Sequence, residues 1–545
     1  MADIVQLRRR LSEWLNATSI RVREEAERQC ATILLPYLRN SESVEVEMLV
    51  SLLTAVTFTV LCYRRLSFRL QILVQEGAAP SIRVDERCSD NLLLACPENL
   101  LGSLSGVRYF TRKTSEGTED RLQDIQLQYV VFSGAPRALM YHLHEWNRGE
   151  DGKTHGPAVL LTSATSFMPA SPAYHIDVPP SYLLHRSATA RPAVRSEYNF
   201  LPIEDRDSIQ RRHLRFSGER SEQARMRNLQ KMVTALLEGG PSESMVARHC
   251  REFDVREGVA RKAAFIVNSY EQSERLKQFI DHRFAAWRDR VVAVVQDIPQ
   301  LAGSHGYVTP GRVETLGDDD SWDILIFPMG ALGRGTNVVF SEGPRRRDAT
   351  LGTLYFLTRP HPSPDDLSLL VSLGAKGTQD FNARALEELD SFDALNAARS
   401  EARARLYGLV GRLLRHPLYA RSLDTKLFEP FTANIAVPLM QTIGRAMRNG
   451  CPVQCFFIDR AWAERSSMGE RDDSRSSMLV QLRTILEQGA NSPDPMASLL
   501  FKELYMPFLE PLSRIRGVEV SEMAAAADAP DSWGEQPLWD ESDPF

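Results

Sequence analysis

No glycine occurs before Gly77. A phosphate-binding loop of the GxxxxGK[ST] kind depends on glycine backbone, so none can lie ahead of that residue. The seven cysteines, Cys30, Cys62, Cys88, Cys96, Cys250, Cys451 and Cys455, lack the short paired spacing of zinc sites and fit free thiols in a reducing compartment. Long apolar runs are missing as well. The most apolar stretch of the amino-terminal half, residues 48–62, is too short for a membrane crossing and runs straight into Arg64 and Arg65, so it reads as a buried helix. The opening residues carry charge without a signal-peptide apolar block, and a cytoplasmic location is expected. Nor is there an excess of positive charge. The net charge is −6, whereas nucleic-acid binders are usually basic over the binding domain.

What is present is 545 residues of ordinary globular composition, 43% hydrophobic and 25% charged, enough for about three domains. Basic residues cluster at Arg8 to Arg10, at Arg211, Arg212, Arg215, Arg220, Arg225 and Arg227, and at Arg345 to Arg347. After Arg516 there are eight acidic residues and no Lys or Arg. Each run by itself reads as a solvated face, and together they permit phosphate contacts.

The texture divides the chain. Residues 1–75 show helical apolar spacing (Leu7, Leu11, Leu15; then Ile33, Leu34, Leu38), and residues 76–155 mix short apolar runs with turns. From Pro157 short apolar strands alternate with helical segments, the pattern of a parallel sheet with crossover helices. Strands are predicted at 158–164, 263–268, 291–295, 323–328, 353–358 and 453–459, and their near-continuous apolar character suits strands covered on both faces. Helices are predicted at 221–237, 271–287, 379–414 and 437–448, with a helical block over 478–509. The expected division is a mainly helical region 1–155, a strand and linker 156–200, an α/β domain 201–465, a helical block 466–522 and a disordered acidic tail 523–545.

The segment QTIGRAMR places Gln441, Arg445 and Arg448 at i, i+4 and i+7, one face of a predicted helix. One amide and two guanidiniums in a stripe suit phosphate oxygens in a cleft; a surface helix with i, i+4 charges is the plainer alternative. Further along the sheet, DILIFPMGALGRGTN runs from a strand into a turn with Gly330, Gly333 and Gly335, which let backbone approach a ligand closely or adopt positive φ. Arg334 and Asn337 then stand at the carboxyl end of a strand, where open parallel sheets place ligands.

Four segments, in order, resemble motifs of superfamily two helicases. Leu161-Thr162-Ser163-Ala164-Thr165 looks like motif three, Ala264 to Tyr270 with Asn268 and Ser269 like motif four, Asp323 to Asn337 like motif five, and QTIGRAMR like motif six. The spacing between the first two, and the proline-broken TLYFLTRPHPSPDD, are similar to the DinG and XPD branch. The resemblance covers roughly 157–465 and implies a RecA-like second motor domain. It implies arginine fingers at Arg445 and Arg448, and ATP-binding or coupling roles for Gln441, Gly444, Gly333, Arg334, Gly335 and Asn337. Ser163, Thr165, Asn268, Ser269 and Thr336 would contact or couple to nucleic acid, with DNA favoured over RNA.

The resemblance also implies a P-loop and an acidic magnesium box, and neither is found. Gly152-Lys153-Thr154 lacks the upstream glycine and the following helix, so it reads as a turn. Asp85-Glu86 reads as a loop carboxylate pair. Cys30, Cys62, Cys88 and Cys96 are too widely spaced to suggest an iron-sulfur cluster, and none is expected. ATP and Mg2+ would therefore be shared with a P-loop half on a partner chain, and the lone chain is not expected to be a competent ATPase. A catalytically inactive adaptor that keeps the fold is the alternative. The terminal Pro544-Phe545 resembles the docking tail of bacterial single-stranded-DNA-binding proteins; a solvating tail is the plainer reading.

Overall fold

The computed structural model describes residues 20–34, 104–112, 124–132, 156–184, 195–209, 212–219, 221–298, 306–331, 336–360, 367–388, 391–415 and 425–520, with a few isolated positions besides. Two compact units make up the chain: residues 1–96 with 105–131, and residues 97–104 with 132–545. In the first unit α1 spans Ile20–Leu34, with Ala26 and Cys30 buried. Strands β1, Leu104–Arg112, and β2, Asp124–Phe132, pair as a two-stranded sheet in a region where no strands are predicted above.

The second unit is built on a seven-stranded sheet in the order β3-β9-β8-β4-β7-β5-β6. Its strands are β3 Glu197–Phe200, β4 Lys262–Val267, β5 Val291–Val294, β6 Tyr307–Val308, β7 Ile324–Pro328, β8 Leu351–Phe356 and β9 Gln454–Phe457. Every neighbouring pair is parallel. Successive residues of a strand point to opposite faces, so an apolar run stays buried throughout only if both faces are covered. That happens here: Ala264, Ile266, Leu325, Phe327, Cys455 and Phe457 join one core, while Ala263, Phe265, Ile324, Ile326, Phe456 and Ile458 join the other. The second core is closed by α2 (Glu222–Leu237), α3 (Met245–Glu257) and α4 (Tyr270–Arg283). The first is closed by α5 (Ser368–Glu388), α6 (Phe392–Arg415), α7 (Thr425–Arg445), α8 (Met478–Ala490) and α9 (Pro495–Ser513). This is the α/β architecture expected, a RecA-like parallel sheet with flanking helices.

Several expectations are corrected. Residues 158–164 form no strand: among the described residues the backbone from 157 to 162 makes no hydrogen bond, and Val159, Leu160 and Leu161 are 39%, 81% and 52% exposed. A strand needs a ladder neighbour, and no described strand runs beside this one. The helix predicted over 379–414 is two helices, because Ser391 caps a new start by accepting the Ala394 N–H at 3.2 Å. The block at 478–509 likewise breaks at Asp494, whose carboxylate accepts the Met496 and Ala497 amides. Helix α7 begins twelve residues earlier than predicted and carries Pro430 and Pro438 within it. Among the described residues, no helix is long and apolar enough to cross a membrane.

Candidate functional site

Helix α7 organises the site. Its buried stripe, Phe428, Phe431, Ala436, Val437, Met440 and Ile443, packs on the sheet, and Thr442 Oγ1 donates to the Met329 carbonyl just past β7 (3.3 Å). The opposite flank receives the chain at 165–175. Asn434 Oδ1 accepts the Ser171 hydroxyl (2.7 Å) and the Ala173 N–H (3.0 Å). Two turns further on, Gln441 Nε2 donates to Thr165 Oγ1 at 3.0 Å. One turn beyond Gln441, Arg445 Nη1 donates to Asn337 Oδ1 at 2.7 Å, and the Asn337 N–H in turn donates to Glu314 Oε1 at 2.9 Å. Three segments far apart in the chain therefore meet along one helix: 165, 337 and 441–445.

The stripe of three side chains is not as predicted. Gln441 and Arg445 do share a face, and both are held by protein groups; Arg445 is only 8% exposed. The helix ends at Arg445. Arg448 opens a separate 3-10 turn, 448–450, in which Asn449 and Gly450 have φ of 54° and 75°. The left-handed pair keeps the helix from resuming after its end at Arg445, and Asn449-Gly450 is a sequence signal of a break nearby. Arg448 is exposed and no hydrogen bond or ion pair among the described residues holds it. Burial, and then the neighbouring Arg448, hold the Arg445 guanidinium below its ordinary value, with Glu314 opposing them. Arg445, with Arg448 and Glu314 near it, offers guanidinium donors of the kind that suit an oxyanion. The donor set thus fits a phosphate group. Among the described residues no cluster of three or more His, Cys, Asp or Glu could hold a metal ion.

The remaining predicted residues are dispersed. Gly333, Arg334 and Gly335 lie outside the described residues, as do Gly152, Lys153, Thr154, Asp85, Glu86, Cys62, Cys88, Cys96 and the 523–545 tail. Thr336 is half-buried next to Asn337. Gly330 and Gly444 do not require glycine: neither has positive φ, and a Cβ on either would meet nothing within 4 Å. Ser163 is exposed, and its hydroxyl accepts the Thr165 N–H at 3.2 Å. Asn268 and Ser269 stand apart from α7, at the carboxyl end of β4. Ser269 caps α4 by accepting the Gln272 N–H (3.2 Å), and Asn268 Nδ2 donates to the Arg359 carbonyl (3.1 Å).

Two functional-looking residues escape the sequence reading. Glu314 sits in a 3-10 turn, Pro310–Leu316, with no motif around it. Asp459 follows β9 and is fully buried, and its two oxygens accept four backbone amides, from Phe216 (3.1 Å), Ser217 (2.8 Å), Arg359 (3.2 Å) and Ala461 (3.0 Å). A lone acid closing an apolar strand was the available signal. No protein-family model matches the chain, and no match to a curated protein was found.

Proposed function

We propose that this chain acts as the carboxyl-terminal motor half of an ATP-dependent, DinG- or XPD-like nucleic-acid helicase. It would contribute Arg445, Arg448 and nucleic-acid contacts to an ATP site whose P-loop and magnesium ligands come from another half. The observation that carries the reading is the pair of hydrogen bonds along α7, Gln441 to Thr165 and Arg445 to Asn337, which joins three of the four motif-like segments at one place. A coupling role needs such junctions, because nucleotide state can reach a nucleic-acid strand only through groups in contact.

The roles divide by exposure. Arg448, exposed and with no side-chain partner among the described residues, is the group placed to meet a transferring phosphoryl group and stabilise its charge. Arg445, held by Asn337, orients and adds positive potential behind it. ATP with Mg2+ supplies the phosphoanhydride chemistry when bound. The exposed apolar run Val159-Leu160-Leu161, without backbone hydrogen bonds among the described residues, supports a neighbour that would take it up as a strand covered on both sides.

The lone chain is expected to hydrolyse ATP negligibly, and addition of the P-loop half with single-stranded DNA to restore turnover. Arg448→Ala should lower that turnover on the order of 10³-fold, the low end for an arginine finger. Stimulation that survives Arg448→Ala unchanged would end the assignment. The second reading is an adaptor that binds nucleic acid without hydrolysis, and the engagement of Arg445 by Asn337 favours it. It requires binding that is indifferent to ATP.

A further inference from the structure

The carboxyl edge of the sheet carries a second basic constellation, separate from α7. Asp459 creates it. By gathering amides from 216, 217, 359 and 461, that buried carboxylate ties together the turn after residue 214, the loop after β8 and the turn after β9. The Arg460 N–H also donates to the Leu214 carbonyl at 3.3 Å. Arg215 and Arg460 are thereby delivered to one spot, where both guanidiniums share the Glu464 carboxylate at 3.4 and 3.0 Å. Arg215 is fixed further by donating from Nε to the Ser217 carbonyl (2.8 Å). Its guanidinium lies over Gly218, where φ is +86° and a Cβ would come within 2.5 Å of Nη2. The positive φ favours glycine there, and its lack of a Cβ lets the guanidinium lie in this seat.

Charge does not balance there. Arg215, Arg460 and the exposed Arg212 face two carboxylates, Glu464 and the buried Asp459, whose charge persists although backbone amides satisfy its oxygens. The side chains of Arg215, Arg460 and Glu464 are 18%, 17% and 13% exposed, so water screens the excess poorly. The Arg460 Nε is buried with no hydrogen-bond partner. Burial, then Arg215 and Arg212, hold the Arg460 guanidinium below its ordinary value. A ligand that relieves this must be anionic and rich in acceptor oxygens, which describes phosphate.

The cluster is also one end of a longer track. The Arg359 carbonyl accepts from Ser217 Oγ (2.8 Å) on one side and from Asn268 Nδ2 (3.1 Å) on the other. Strands β9, β8 and β4 are adjacent, so this edge runs about 10 Å from Arg460 to Asn268 at the usual strand spacing. A polyanion fills such an edge better than one free ion.

We propose that Arg215 and Arg460 form a phosphate clamp that holds the backbone of a single nucleic-acid strand along the carboxyl edge of the sheet. The inference rests on the nucleic-acid reading above but not on ATP hydrolysis.

The test is binding of a fluorescein-labelled oligothymidylate to the full chain, read by anisotropy across a salt series. Each phosphate contact adds about 0.7 to the log-log salt slope for single strands, so Arg215→Gln with Arg460→Gln should reduce the slope by about 1.4. Affinity at fixed low salt should fall at least tenfold. Glu464→Gln removes the carboxylate that both arginines share and should tighten binding severalfold, a gain that misfolding cannot produce. Arg275→Gln, an exposed arginine on α4 paired with Glu222 and Glu271, should change nothing. Wild-type binding with an unchanged slope in the double variant would overturn the clamp and leave the nucleic-acid reading standing. No binding by the wild-type chain would overturn both. If calorimetry with inorganic phosphate alone showed the double variant losing affinity while oligonucleotide binding held, the pair would belong to a free anion and the strand clamp would fall.

Discussion

Gln441 on α7 and Thr165, 276 positions earlier in the chain, meet through a 3.0 Å hydrogen bond from Nε2 to Oγ1. Thr165 lies two residues past the segment 157–163, and Asn434 on α7 also holds Ser171 and Ala173, so any sheet that took up this segment would be linked to α7 through two side-chain amides. Under the proposed helicase reading, Gln441→Ala and Thr165→Val should each lower nucleic-acid-stimulated ATP turnover measured with a P-loop half present. The double variant should be no worse than the poorer single one. A double-mutant cycle with an interaction energy of about 1 kcal/mol is expected, and additive losses would refute the coupling.

Asp459 is the structural hinge-pin of the carboxyl edge. Removing it strands four buried amides, each costing about 1–3 kcal/mol when unsatisfied, so Asp459→Ala should destabilise the chain by at least about 3 kcal/mol. Asp459→Asn should rescue little. Its single carbonyl oxygen can serve one pair of amides, while its NH2 points donors at the other pair. Denaturant unfolding checks both, and a loss under about 1 kcal/mol for Asp459→Ala would show the loops to be held by other means.

A pH effect is expected from His249. Its ring stacks on Phe456 with centroids 4.3 Å apart, and Nδ1 lies 3.0 Å from the Tyr355 hydroxyl. Burial, then Arg248, push its pKa down to about 4, with Glu252 opposing. The folded chain thus stays unprotonated where the unfolded chain, near 6.5, takes up a proton. Stability is therefore intact above about pH 6.5 and falls as the pH drops from there towards 4, by roughly 2 kcal/mol after allowing for the ring's partial exposure. Asp254 works the other way in part of that window. Burial raises its pKa to about 6, so protonation favours the folded state as the pH falls through 6. Comparing unfolding free energies at pH 7 and 4.5 for the wild type and His249→Phe isolates the histidine. Equal pH slopes in the two would refute its role.

The central strands were legible because a parallel sheet covered on both faces demands unbroken apolar runs, and ILIFP and QCFF supply them. Strands β3 and β6 were not, being four and two residues long at the sheet's edges. Prolines misled: Pro438 reads as a helix start, yet α7 continues through it and through Pro430. At the site, the face shared by Gln441 and Arg445 was legible from spacing alone. Their partners were not, since nothing local to Thr165, Asn337 or Glu314 says which helix they will meet. Arg448 was misplaced by carrying the predicted helix to 448, three residues past its end at Arg445. Ser269 shows the converse difficulty: a hydroxyl at a strand end suits a ligand and a helix cap equally, and here it caps.

The bare ribbon at 157–163 has a consequence for how the molecule is made. Exposed leucines beside idle amides and carbonyls are adhesive towards any open sheet edge, including that of a sister molecule emerging nearby. Such a ribbon is harmless only while something covers it. If a partner supplies that cover, timing of synthesis matters as much as shape: a cell that produced this polypeptide well ahead of it would accumulate clumped, wasted material.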